Sequence, residues 1–429
     1  MRKEQLASTL FQANRNGFQN SLLPNSLAII NPNDEYPRNG DQNYVYRQHS
    51  DLYYLTGIEQ ERTRLLIAPD YPDEKYREVL FIIRSDTKLE TWEGPKLSRE
   101  EAKKVSGIKH VAWLDQYDAV LGELMTHAEH VYLNSNEYPK YTNPVPYFDL
   151  RFASELKEKY PWHDYKRAAP ILHDLRKIKH PVETDLIRRA CDITGMAFQR
   201  VLKMLKPGVI EYQVQAEISH EFAMNGANGH AYQPIIGSGE RACILHYVKN
   251  NKTCQDGELL LMDFGAEYSN YAADMSRTVP VNGRFSKRQL ECYRAVLEVQ
   301  KKARKLFVVG NTIDKVNKEV NKMMEEQMLK LGLFTGADLK KQDPDKPLYT
   351  KYFMHGTSHF IGLDVHDVGS KYDSFQPGMV LTCEPGLYIR EEKIGIRIEN
   401  DIMITEDGPA NLMEGIPVEP AEIEEIMNS

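Results

Sequence analysis

Cysteine is scarce in this 429-residue chain: five residues, Cys191, Cys243, Cys254, Cys292 and Cys383, scattered and without a CxxC pair. An odd, dispersed set argues against a disulfide framework and for reduced thiols in a cytoplasmic protein. No apolar run reaches the roughly 20 residues needed to span a membrane. The opening "MRKEQLASTLFQANRNGFQNSLLP" is too polar for the core of a signal peptide. Long basic runs are missing too, and the formal charge is −8, so neither nucleic acid nor a membrane is an expected partner. What remains is the composition of an ordinary soluble protein, long enough for two or three domains at about 100–200 residues each.

Two regions differ in texture. Residues 1 to 175 mix helical and turn segments with short β-like runs. "SLAII", "LLIAP" and "EVLFIIR" read as buried strands set apart by turn clusters such as "NPNDEYPRNGDQN". Residues 176 to 429 open on a helix near "HPVETDLIRRACDITGMAFQRVLKML", with Pro181 in its first turn and "KPG" ending it. Ile187, Cys191, Thr194, Phe198, Val201 and Leu205 step by four and three, one buried stripe. A second helix follows from about Glu211 to Asn225, then strand-like "YQPIIGSG", "ACILHYV", "GELLLMDFGAEY" and "YAADMSRTVPV". After Gly283 the order restarts. Ser286 caps a helix to about Val308, another runs from about Ile313 to Leu331, and strand-like stretches fill His355 to Thr405. The expectation is an α+β/α/β chain: a mixed α/β N-terminal domain, then a domain of two pseudo-symmetric halves, each helix, helix, strands.

Several acids sit where strands should exclude them. Asp263 directly follows Leu259, Leu260, Leu261 and Met262, although a carboxylate in an apolar strand must recover its lost hydration elsewhere. "GAEYSNYA" reads as a tight hairpin with Ser269-Asn270 at its tip, so Tyr268 faces Tyr271 and Gly265 faces Asp274. Asp263 and Asp274 then become diagonal neighbours on one face, roughly 7–8 Å apart at Cα. That placement suits a shared cation; alternatively one Asp caps a turn and the other lies at an exposed edge. Glu384 in "GMVLTCEPGLYI" and Glu399 in "IGIRIENDIMI" are further strand acids, uninformative singly. Alternation puts Arg397, Glu399 and Asp401 on one face.

With "HGTSHFIGLDVHDVG", where three histidines crowd fifteen residues, these segments form an ordered set. "ILHY", "DFGAEYSNYAADMSRT", "HGTSHFIGLDVHD", "TCEPGLY", "GIRIEND" and, earlier, "RNGDQNYVYRQHSDLYYLTG" resemble the pita-bread metallopeptidases, and among them the Xaa-Pro aminopeptidases (aminopeptidase P). The resemblance covers nearly the whole chain. It implies two divalent metal ions, Mn(II) by family expectation, held by Asp263, Asp274, His359, Glu384 and Glu399, with Asp274 and Glu399 bridging. It implies further that His246 and His366 stabilise the tetrahedral intermediate and help protonate the leaving nitrogen. Glu384 would take a proton from a metal-bridging water that attacks as hydroxide. His355 would line the pocket, Arg397 would orient Glu399, and Tyr388 would add a hydrogen bond. Cys383 reads as core, facing away from Glu384.

The implied reaction is release of the first residue from peptides with proline second, by a homo-oligomer in which Trp92 of "TWEGPK" could approach a neighbouring subunit's site. The nearest rival is prolidase, which cleaves Xaa-Pro dipeptides. A metal-free pseudopeptidase acting as a binding scaffold is the rival from another class.

Overall fold

The structure is a computed structural model that describes residues 6–138 and 145–429. The chain divides into two compact units, one ending at Arg176 and the other running from Lys177 to Ser429.

In the first unit, Ser26–Ile30 is buried along its whole length, so it reads as a continuous apolar run rather than an alternating one. It sits inside a six-stranded mixed sheet in the order His110–Trp113, Glu78–Ile82, Arg64–Ile67, Ser26–Ile30, His130–Leu133, Asp164–Arg167. Three of these strands are those expected from sequence. "HVAW" and "HVYL" were not expected, being four residues long with weak alternation. Leu27, Ile29, Leu66, Phe81, Tyr117 and Val131 fill one side of the sheet as its core.

The second unit has the expected repeat. Helix Pro181–Met204 begins with Pro at its first position, where the missing N–H costs nothing, and Glu183 accepts the His180 N–H at 2.8 Å. The stripe from Ile187 to Val201 is fully buried. Helix Glu211–Met224 follows, then strands Ile235–Ser238, Leu259–Phe264 and Met275–Pro280 in one antiparallel sheet. Ser286 caps helix Lys287–Arg304, accepting the Gln289 N–H while Gln289 accepts the Ser286 N–H. Helix Ile313–Lys330 and strands Val380–Cys383, Gly386–Ile389, Ile394–Arg397 and Asn400–Thr405 complete the second half. The halves touch where the Glu399 N–H donates to Ser276 O at 3.1 Å.

Two expectations are corrected. "ACILHYV" contains no strand: a 3-10 turn covers Gly239–Cys243, and a further turn follows at Leu245 and His246. The chain doubles back because Gly237 lets the Arg241 carbonyl approach where a Cβ would lie only 2.9 Å from it. From His355 to Met379 there is likewise no extended strand, only an isolated bridge of Phe360 to Leu381. Side chains replace ladder partners there: Asn317 Oδ1 accepts the Thr357 N–H and Thr382 Oγ1 accepts the His359 N–H.

The hairpin has the expected register, with Tyr268 opposite Tyr271 and Asp263 opposite Ser276. Ser269 and Asn270 both have positive φ, 48° and 69°, as its tight turn demands. Below the tip, a Cβ on Gly265 would stand 1.7 Å from Ala273 O. Gly265→Ala is therefore expected to destabilise the protein by about 1–3 kcal/mol and to weaken metal binding, because the strands bearing Asp263 and Asp274 must part. An unchanged Tm and metal content would contradict this account of the hairpin.

Candidate metal centre

Asp263 ends an apolar strand and Asp274 returns on its partner, so the hairpin brings both carboxylates beneath Tyr232. The Tyr232 hydroxyl oxygen lies 2.5 Å from Asp263 Oδ1 and 2.5 Å from Asp274 Oδ1. A phenol has one proton and can donate to only one of them. The second carboxylate must then carry a proton or meet a positive charge.

The second half adds the other donors. His359 Nε2 lies 3.4 Å from Asp274 Oδ2 and 3.8 Å from Glu384 Oε1. Its Nδ1 faces Phe360 O at 3.0 Å, which places a proton on Nδ1 and turns Nε2 toward the carboxylates. Glu399 receives the Ser276 hydroxyl on Oε2 at 2.7 Å, while its Oε1 is buried with no hydrogen-bond partner. One donor atom each from Asp274, His359 and Glu399 lie within 4.8 Å of one another.

The electrostatics reflect this crowding. Burial, then the charges of Asp274, Glu384 and Asp263, push the Glu399 carboxyl well above the usual range. Burial raises Glu384 to about 7, against the pull of His359 and Arg397. Burial also raises Asp263, opposed by Arg397 and assisted by Asp274. For His359, burial favours the neutral ring but is outweighed by its hydrogen bond to Asp274 and the charges of Glu384 and Asp274, which lift it to about 9. An orphaned carboxylate oxygen, a phenol proton shared by two acids, and acids that resist ionising together fit a site for cations. The donor set fits hard divalent ions: four carboxylates and one imidazole, no thiolate.

The other expected residues lie around this cluster. His246 and His366 are both exposed, and the His366 ring stands edge-on to His359 with centroids 4.5 Å apart. His246 is close enough to His355 for its charge to be felt there. His355 is half-buried, with Nδ1 3.9 Å from Glu384 Oε2. Burial first, then Arg397 and His246, depress it to about 3, so it is neutral near pH 7. Cys383 is buried as expected.

Arg397 departs from expectation. Its Nη2 donates to Asp263 Oδ2 at 2.5 Å, and its Nε donates to Ser276 Oγ at 2.7 Å. Glu399 is reached only through that serine, because Arg397 ends one strand and Glu399 belongs to the following bend. Tyr388 accepts from Arg397 Nη1 at 2.8 Å and meets His355 Nε2 at 2.8 Å, a fully buried link between the two. Tyr232 and Ser276 escaped notice in the sequence, and Asp401 was placed only as a face-mate of Arg397 and Glu399. Asp401 Oδ2 accepts the Asp274 N–H at 3.1 Å and is buried behind the cluster. Ser276 had a signal, lying two residues from Asp274 on the same strand face. Tyr232, in a loop before its strand, had none.

Comparison with known proteins accounts for this arrangement. The sequence profile of metallopeptidase family M24 matches residues 185–406, and that of the aminopeptidase P N-terminal domain matches residues 11–132. The chain belongs to metallopeptidase family M24. Within that family it resembles the Xaa-Pro aminopeptidase of Escherichia coli (strain K12), 38% identical over 97% of each chain. It also resembles Xaa-Pro aminopeptidase 3 of Homo sapiens, 30% identical over 93% of this chain and 80% of the relative. Among solved structures, zinc-substituted E. coli aminopeptidase P in complex with product superposes with a TM-score of 0.89 at 35% identity, covering 99% of each chain. The same enzyme with the inhibitor Pro-Leu gives equal figures. This M24 protein is thus a hydrolase of the Xaa-Pro aminopeptidase type, with a pita-bread metallopeptidase fold after an aminopeptidase P-type N-terminal region. As a member of the family it requires divalent metal. Among the described residues no helix is long and apolar enough to cross a membrane.

The raised groups make metal binding pH-dependent with a definite sign. His359 moves from 6.5 to about 9 and Glu384 from 4.5 to about 7 in the metal-free fold. Groups raised in this way support the metal-free fold below their ordinary values and lose that support as pH climbs through the folded ones. Cations need the same groups deprotonated. The Tm increase on adding Mn(II) is therefore expected to be larger near pH 8.5 than near pH 6, with protons released on binding. A pH-independent increase with no proton release would contradict the shifts.

Proposed function

We propose that this site removes the first residue from peptides whose second residue is proline, using two divalent ions held by Asp263, Asp274, His359, Glu384 and Glu399. The observation that carries the reading is the buried, unpartnered Oε1 of Glu399 among acids from both halves of the fold. When bound, such ions acidify water toward a nucleophile and polarise the scissile carbonyl. Mn(II) is the ion we favour on the hardness of the donors.

The protein's own groups do the remaining work. Glu384, beside the site of attack, accepts a proton from the attacking water. His366, beside His359, stabilises the tetrahedral carbon's developing oxyanion and delivers a proton to the leaving proline nitrogen, with His246 assisting. Neutral His355 lines the pocket as a hydrogen-bonding group, held by Tyr388. Arg397 fixes Asp263 directly and Glu399 through Ser276.

The aminopeptidase is favoured over prolidase because the relatives above carry that name, and the E. coli structure was obtained with Pro-Leu, which resembles the product left after the first residue departs. The presence of all five donors disfavours a metal-free scaffold. Five buried, unpaired thiols suit a cytoplasmic setting. Trp92, 81% exposed, is available to another copy of the chain in a homo-oligomer.

The Mn(II)-loaded enzyme is expected to cleave Xaa-Pro-Xaa peptides; activity confined to Xaa-Pro dipeptides would establish the prolidase instead. Asp274→Ala is expected to lower both metal content and turnover. His366→Ala is expected to keep the metal but lose about 100-fold in kcat, on general acid–base magnitudes. Loss of metal from His366→Ala would overturn the division between ligand and proton carrier.

A further inference from the structure

Outside the carboxylate cluster lies another pair of buried charges. Lys179 Nζ and Asp367 Oδ2 are 2.9 Å apart, and each side chain is 1% exposed. Taking two charges out of water costs several kcal/mol per ion, and an apolar pair of similar volume is often as stable or more so. Stability is a weak reason for such a pair. Its location supplies a stronger one.

Asp367 directly follows His366. The Asp367 N–H donates to Phe360 O at 2.9 Å, closing the intervening segment into a loop. His359 stands just before the neck of this loop and His366 at its other side, their rings 4.5 Å apart at an interplanar angle of 81°. Inside, a Cβ at Gly362 would lie 2.2 Å from Asp367 Oδ2 and 2.9 Å from Lys179 Cε, so only glycine leaves room for the ion pair. The Gly362 carbonyl accepts the Ala272 N–H at 2.8 Å, which ties the loop to the hairpin of Asp263 and Asp274. Lys179 is anchored in turn, its N–H donating to Gly378 O at 2.9 Å. His366 itself is exposed, and the pinned Asp367 fixes the main chain directly beside it.

We propose that Lys179 is a positioning residue for the hydrolysis: through Asp367 it fixes where His366 stands relative to the metal donors. The inference rests on the assignment of His366 to proton transfer. The lysine ammonium meets Asp367 rather than one of the metal donors. It acts by pinning the residue next to the proton carrier, and misplacement by about 1 Å is enough to cost catalysis about 100-fold.

The test uses the full-length, Mn(II)-loaded protein. Lys179→Met is expected to lower kcat about 10- to 100-fold with KM and bound metal unchanged. In a His366→Ala background the same substitution should cost no further turnover, since the group it positions is gone. Lys179→Met/Asp367→Leu removes both charges of the pair, while nearby buried Glu183 keeps its hydrogen bonds from the His180 N–H and the Tyr271 hydroxyl; it is expected to fold as well as the parent, yet to share the kcat loss. Parental kcat in that folded double variant, an equal loss in the His366→Ala background, or loss of metal would each overturn the proposal. Turnover lost in His366→Ala but kept in Lys179→Met would sink the positioning role alone. Full turnover in His366→Ala would sink the proton-transfer assignment, and this inference with it.

Discussion

Repulsion between buried carboxylates is the constraint around which this structure is organised. Asp263, Asp274, Glu384 and Glu399 converge where water cannot solvate them separately, and Glu399 keeps one oxygen buried without a partner. One guanidinium, Arg397, offsets part of that charge by gripping Asp263. One phenol, Tyr232, offers a single proton to two acids. Neither suffices, and the remaining charge fits the divalent ions that the family implies. Their affinity for the site and the acids' reluctance to ionise without them are one quantity seen from two sides.

The duplicated fold makes this convergence affordable. Each half supplies a rigid strand pair backed by two helices, and the acids sit at strand ends or in the bends between strands, where the backbone is satisfied by its neighbours. A hairpin with a glycine pressed against the opposing backbone brings Asp263 and Asp274 together. Ser276 donates to Glu399, Asp401 accepts the Asp274 N–H and Tyr388 accepts from Arg397, which together hold the acids and the arginine from behind. His246 and His366 lie outside the helices and strands, and the residue after His366 is held by the Lys179–Asp367 pair.

Much of this was legible from residues alone. Helix starts at Pro181 and Ser286 were readable because capping chemistry is local. The hairpin was readable because Ser269-Asn270 tolerates positive φ and the apolar run before Asp263 sets the strand. "ACILHYV" misled because its apolar residues resemble a strand, while the close approach of Gly237 to Arg241 that folds it back is a tertiary fact. The partner of Arg397 was misjudged for a related reason: strand alternation gives the face of a side chain but not which carboxylate across the seam meets it.

The amino-acid sequence by itself determined the helix–helix–strands repeat of the second unit, the register of the acidic hairpin, and the kinds of donor atom available, because these follow from local sterics, capping and side-chain chemistry. Only the tertiary structure decided that Arg397 meets Asp263, that Tyr232 lies between two acids, and that Lys179 reaches Asp367 from 188 residues away. Those pairings depend on how distant segments pack. Packing distances set the Coulomb and hydrogen-bond energies, and no residue's own neighbours along the chain contain them.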